Sequence, residues 1–206
     1  MIFVGIDNSL QSPGLTIYDK QDELYYFYFL TQRKRETGIK VTTDKYVLEG
    51  IDYPEWKTRE ERIDKVTQIL IDKIDQFPTL DKNIMIEGYA FSAQSRSVTH
   101  LAEIGGVLRN KLYKLNLLYD EIPPTVIKKF FTGKGNSNKN GMYLQYKNYI
   151  RDWQVPNLFK EIGINPKSKK TNPVDDIIDS FAIVCYNMGI KIQETDIVGN
   201  ILKGLK

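Results

Sequence analysis

The order of its apolar runs constrains this chain more than any other feature. Residues 2–6 are an unbroken apolar run that stops at Asp7. Residues 8–14 are rich in turn formers and lead into a second short run at 15–18, so the two read as a hairpin. Residues 24–30 are apolar at nearly every position, as expected of a third strand covered on both faces. Residues 31–57 lack periodicity and mix charges with Gly38, Gly50 and Pro54, which predicts a long excursion or a mobile flap. From Thr58 onward Ile63, Val66, Ile69, Leu70 and Ile74 recur at helical spacing, and that helix has to stop before Pro78.

A strand at 83–87 ends in Glu87 and is followed by a helix at about 95–113, with Val98, Leu101, Ile104, Val107, Leu108 and Leu112 on one stripe. A further strand is expected at 115–119. Pro123 and Pro124 suit the start of a short helix through Phe131, and 132–141 reads as a loop of Gly, Asn and Lys. The last clear helix runs from about 173 to 188. Three strands followed by strands alternating with helices predict a single α/β domain with a mixed five-stranded sheet flanked by helices. A length of 206 residues suits one such core.

Composition narrows the partners. No segment approaches eighteen uninterrupted apolar residues, and the N-terminal run meets an acid at Asp7 with no basic leader, so neither a membrane span nor a signal peptide is expected. A lone cysteine, Cys185, fits a reducing compartment, and the expected location is cytoplasmic, the host cytoplasm if the chain is viral. The net charge is only +3, yet residues 128–170 carry ten basic side chains against two acidic ones. Lys128, Lys129, Lys134 and Lys139 open this basic segment. A polyanion would meet it first, although a lysine-rich run also serves as a plain solvated surface.

The acids form a second pattern. Asp7 and Glu87 each end an otherwise apolar strand, and Asp176 and Asp179 are three apart, on one face of the last helix. An acid at a strand end commonly caps a turn, and Asp175 and Asp176 also suit the first turn of a helix. Asp179 lies one turn further in, beside Phe181, Ala182 and Ile183, where that explanation is weaker. If these carboxylates converge they require a cation between them, and hard oxygen ligands select Mg²⁺ or Mn²⁺. With one histidine, His100, and one cysteine, a Cys/His zinc site is excluded.

Gly5-Ile6-Asp7 with Ser9 and Gly14, then Ile86-Glu87, then the 132–139 loop Thr-Gly-Lys-Gly-Asn-Ser-Asn-Lys, then Asp176-x-x-Asp179-Ser-Phe-Ala-Ile resemble the RuvC Holliday junction resolvases in order and spacing. The resemblance covers most of residues 2–183. It implies a ribonuclease H-like fold and an endonuclease in which Asp7, Glu87, Asp176 and Asp179 hold two Mg²⁺ ions, replaceable by Mn²⁺, for in-line hydrolysis of Holliday junctions and other branched DNA such as flaps and forks. It further implies that Lys134 and Lys139 lie near the cut strand, that Tyr89 or Phe91 presents an aromatic ring to the junction, and that two copies form a homodimer through the helix after Glu87, where Gly105 and Gly106 permit close approach. Asp176 is preferred to its neighbour Asp175 as ligand only because its three-residue offset from Asp179 matches the family.

The chain departs from the family at Asn8, where Pro is common, and in the length of 31–57 and 141–172. Those departures leave the substrate range open. A ribonuclease H acting on RNA–DNA hybrids, or a non-catalytic branched-DNA-binding protein, are the alternatives. An ATPase of the actin and hexokinase fold also opens with Gly-Ile-Asp, but this chain supplies no second phosphate loop and about half the usual length.

Overall fold

A seven-stranded mixed sheet organises the molecule, in the order β4-β5-β3-β2-β1-β6-β7. The structure is a computed structural model that describes residues 1–34, 36–79, 81–89, 96–149 and 173–190. The strands are β1 (Ile2–Asp7), β2 (Gly14–Asp19), β3 (Leu24–Thr31), β4 (Lys40–Thr42), β5 (Tyr46–Asp52), β6 (Lys82–Glu87) and β7 (Tyr119–Ile122). The described helices are α1 (Arg59–Asp75), α2 (Arg96–Lys114), α3 (Pro124–Thr132), α4 (Lys139–Tyr149) and α5 (Val174–Asn187). None of them is long and apolar enough to cross a membrane.

β1 lies near the middle of the sheet. It pairs antiparallel with β2, Asp7 opposite Gly14, and parallel with β6, Ile6 opposite Ile86. Because side chains alternate along a strand, each strand divides its residues between two layers. Ile2, Val4, Ile6, Leu15, Ile17, Ile84 and Ile86 face α1 and α2, where they meet Ile63, Val66, Leu70, Ile74, Ile104, Leu108 and Leu112. Phe3, Phe27, Phe29 and Met85 belong to the other layer, with Ile127, Phe131, Tyr146 and Phe181 of α3, α4 and α5.

Helix α5 approaches that second face at backbone distance. A Cβ added to Gly5 would stand 2.4 Å from the Ser180 carbonyl oxygen, and one added to Gly14 would stand 2.1 Å from that of Asp176. No side chain fits at either place, so glycine there is a packing requirement for the helix. Thr16 and Ser180 join hydroxyls at 2.8 Å in the same seam.

The mixed α/β class agrees with expectation, and several elements differ in detail. The sheet has seven strands rather than five, because residues 31–57 contain β4 and β5. This excursion is no free flap: β5 pairs in parallel with β3 over seven residues, Tyr25 with Tyr46 through Thr31 with Asp52. The almost fully buried Glu36 anchors its start, accepting from the Thr31 hydroxyl and the Arg33 guanidinium at 2.8 Å each. The strand expected at 115–119 begins at Tyr119. Asn116 takes a positive φ of 56° as α2 ends, and of the leucines beside it only Leu117 enters the core, while Leu118 is exposed. The expected loop at 132–141 gives way to α4 at Lys139, where Asn138 accepts from the Gly141 amide through its side chain.

Candidate active site

Four acids reach one end of the sheet on the α5 face by three routes. Asp7 and Glu87 end the neighbouring parallel strands β1 and β6, and both follow the alternation that sends Phe3, Gly5 and Met85 toward α5. Asp176 lies in the first turn of α5, and Asp179 lies three residues on, the same side of the helix. The close seating of α5 on Gly5 and Gly14 sets their height above the strand ends.

The electrostatics show mutual proximity. Burial pushes Asp7 far above the ordinary carboxylate range, and the charges of Glu87, Asp179 and Asp176 push it further. Burial raises Glu87 as well; the hydrogen bond it shares with Asp7 adds to the rise at Asp7 and offsets part of the rise at Glu87. Burial and neighbouring acids lift Asp176 to about 8 and Asp179 to about 7. Glu87 and Asp179 keep some solvent contact, while Asp7 and Asp176 are 8 % and 7 % exposed.

Asp176 accepts from the Ser12 hydroxyl at 3.2 Å through Oδ1, whereas its buried Oδ2 has no hydrogen-bond partner among the described residues. Asp175 behaves differently, since it forms an ion pair with Lys139. Burial alone would lower the pKa of Lys139, but the Asp175 bond and the charges of Asp175, Asp176 and Asp179 raise it overall, which keeps the ammonium charged. A hard divalent cation suits such a donor set: carboxylate oxygens only, one of them an orphaned buried acceptor. The side chains do not form a finished cage, however. Among the described residues no three Asp, Glu, His or Cys side chains are placed to hold one metal ion.

No family model and no curated protein sequence matches this chain. Solved structures do. RuvC from Thermus thermophilus aligns over 92 % of this chain and 97 % of its own, at 13 % identity and a TM-score of 0.51. T. thermophilus RuvC in complex with Holliday junction substrate aligns over 92 % and 96 %, at 14 % identity and a TM-score of 0.54. The fold is that of RuvC. Its ribonuclease H-like sheet is what brings the ends of β1 and β6 and the start of α5 to one place.

On this RuvC fold the remaining candidates divide. Lys128 on α3 is half-buried and close enough to Glu87 and Asp179 for its charge to offset part of the rise that burial gives both. Lys139 reaches the cluster through Asp175, and Lys129 and Lys134 are exposed on α3 and the loop after it. Tyr89 turns toward α2. A Cβ on Gly105 would stand 2.1 Å from its hydroxyl, and Arg109 donates to that hydroxyl at 2.7 Å while lying over the ring. Gly105 therefore accommodates Tyr89, and only Gly106 faces open space. Phe91 and the basic segment from 150 to 170 lie outside the described residues.

Sequence reasoning missed Ser12, Thr16 and Ser180. Thr16 and Ser180 did leave a trace, each being a lone hydroxyl residue at a buried position of an apolar element.

Proposed function

We propose that the chain is a divalent-cation-dependent DNA endonuclease that cuts four-way junctions and other branched DNA. The observation that carries this reading is the meeting of Asp7, Glu87, Asp176 and Asp179 at one end of the sheet, where burial raises the pKa of all four. The likeness to RuvC bound to a Holliday junction supports branched DNA as substrate.

Asp7, Glu87, Asp176 and Asp179 would hold the cations, Mg²⁺ or Mn²⁺ by the chemistry of the donors. When bound, such ions activate water and stabilise the leaving oxygen of a phosphodiester. The protein's own side chains do the rest. Ser12 fixes the rotamer of Asp176 through Oδ1, leaving Oδ2 for a ligand. Lys139 neutralises Asp175 and so spares the cluster a further charge. Lys128, beside Glu87 and Asp179, offsets phosphate charge as DNA arrives. Lys129 and Lys134 extend this basic rim, and a homodimer would set two such sites for paired cuts.

Cleavage of a four-way junction, a flap, a linear duplex and an RNA–DNA hybrid in Mg²⁺, with Asp7→Asn alongside, tests the proposal. Cutting of the branched substrates by wild type alone is the expected result. Equal cutting by both proteins refutes the carboxylate assignment, and cutting of the hybrid alone replaces branched DNA as substrate.

A further inference from the structure

Two hollows flank the loop that follows Asp7, and they share Gln11 and Arg62 as a common wall. The first, of about 320 Å³, is polar, with Ser12, Arg33 and Asp176 among its lining residues. The second, of about 330 Å³, is mainly apolar and is lined by Ser9, Leu10, Gln11, Arg62, His100 and Leu101. Each is at the small end of the range for ligand pockets.

Arg62 is held in place between them. Its Nε donates to the Tyr53 hydroxyl at 2.9 Å, and its guanidinium lies 4.5 Å from the centre of the Trp56 ring and 5.2 Å from that of Tyr53. The Tyr53 hydroxyl in turn donates to the Leu10 carbonyl, which ties the loop to the same array. No carboxylate pairs with Arg62 among the described residues. Arg33, by contrast, is neutralised by Glu36. A half-buried guanidinium, pre-oriented on two rings and lacking a counter-charge, is suited to a phosphate.

We propose that Arg62 and the loop after Asp7 form a seat for one unpaired nucleotide of the cut strand, its base in the apolar hollow and its phosphate against Arg62 in the polar one. This rests on the nuclease reading and sharpens it, because it names the structural element recognised: a base displaced from its stack beside the scissile phosphate. Branch points supply such nucleotides and continuous duplex does not. Of the other charged groups of the polar hollow, Arg33 and Glu36 pair with each other, and Asp176 belongs to the carboxylate cluster that bound cations would neutralise. Leu10 and Leu101 offer the base apolar contact without hydrogen-bond readout, so the seat accepts any base.

The test measures binding of the full chain to a four-way junction and to a duplex of the same sequence, in Ca²⁺ or EDTA. Junctions carrying an abasic residue at each nucleotide flanking the mapped cut are compared with the intact one. One abasic position is expected to weaken wild-type binding about tenfold. Arg62→Gln and Leu101→Ser should each weaken binding of the intact junction, and in each the penalty for that abasic position should largely vanish. Leu101→Ser leaves the Tyr53–Leu10 tie untouched, so it stands if Arg62→Gln unfolds. If wild type binds and cuts junctions but neither variant nor abasic position matters, the nucleotide seat is wrong and the nuclease reading survives. If wild type neither prefers nor cuts junctions, the nuclease reading falls and the seat falls with it.

Discussion

The two faces of the sheet use the same strands for different ends. Toward α1 and α2, β1 and β2 present Ile2, Val4, Ile6, Leu15 and Ile17, and the opposing helices answer with Val66, Leu70, Ile104 and Leu108. Every one of these side chains is stabilising, each by about 1.5–3 kcal/mol when fully buried. Toward α5 the same strands present Phe3, Gly5, Asp7, Gly14 and Thr16. Here large side chains give way to backbone contact, and charge is buried at the far end. Both faces are packed, the α5 face around Phe27, Phe29, Phe131 and Phe181, but only that face also gives up part of its stability to bring acids together.

Asp7 is where this contrast breaks most visibly. Asp7→Asn is expected to reduce junction cleavage by on the order of a thousandfold or more, while its melting temperature in EDTA holds level or rises. A melting temperature lowered by several degrees would show that the acid stabilises the fold, against the division drawn between the faces.

Paired core substitutions come next. Leu108→Ala, on the aliphatic face, should cost about 2–5 kcal/mol in urea unfolding and leave cleavage per folded molecule unchanged. Gly5→Ala should cost about 1–3 kcal/mol or more and, unlike Leu108→Ala, abolish cleavage, because a methyl group 2.4 Å from the Ser180 carbonyl displaces α5. Equal activity in the two variants would sever the link between the seam and the site.

Titration sharpens the comparison more gently. Asp176 and Asp179 release protons at about 8 and about 7 in the folded chain, against 3.8 for an unperturbed Asp. Between those values the unfolded chain has lost protons that the folded chain keeps. Stability without cation therefore falls as pH rises from about 4 to about 8, by up to about 1.4 kcal/mol per pH unit for each of these two groups until it ionises. The gain in melting temperature on adding Mg²⁺ should grow over the same window, since protons and cation compete for the same oxygens. A gain independent of pH would place the cation elsewhere. The smallest effect is expected of Thr16→Val, which removes the 2.8 Å bond to Ser180 at a cost of about 1 kcal/mol; Ser180 retains the Ile177 carbonyl.

Much of this was legible in the sequence where local pattern and tertiary role coincide. Apolar runs that stop at Asp7 and Glu87 announced both strands and both acids, and the stripe from Ile63 to Ile74 announced α1. β5 was hidden because Glu49 and Gly50 interrupt its alternation, and what makes it a strand is β3 beside it. α4 was hidden because Gly141 lies in its first turn and, among its described side chains, only Met142, Gln145 and Tyr146 are buried. Gly5 and Gly14 stood out from the start, but their meaning did not: a glycine that admits a helix looks the same in sequence as one that turns a chain. Arg62 gave no sign at all, since a basic residue near a helix N-terminus is unremarkable until Tyr53 and Trp56 are seen to hold it.

The seam between β1, β2 and α5 also has a consequence in time. Thr16 and Ser180 are 164 positions apart along the chain. A ribosome takes roughly eight to thirty seconds to synthesise that stretch. Once α2 has been made, and until α5 follows, the nascent protein can assemble its aliphatic layer on α1 and α2 while Asp7 and Glu87 wait without their two partners. The acid cluster comes together last, after the scaffold that positions it.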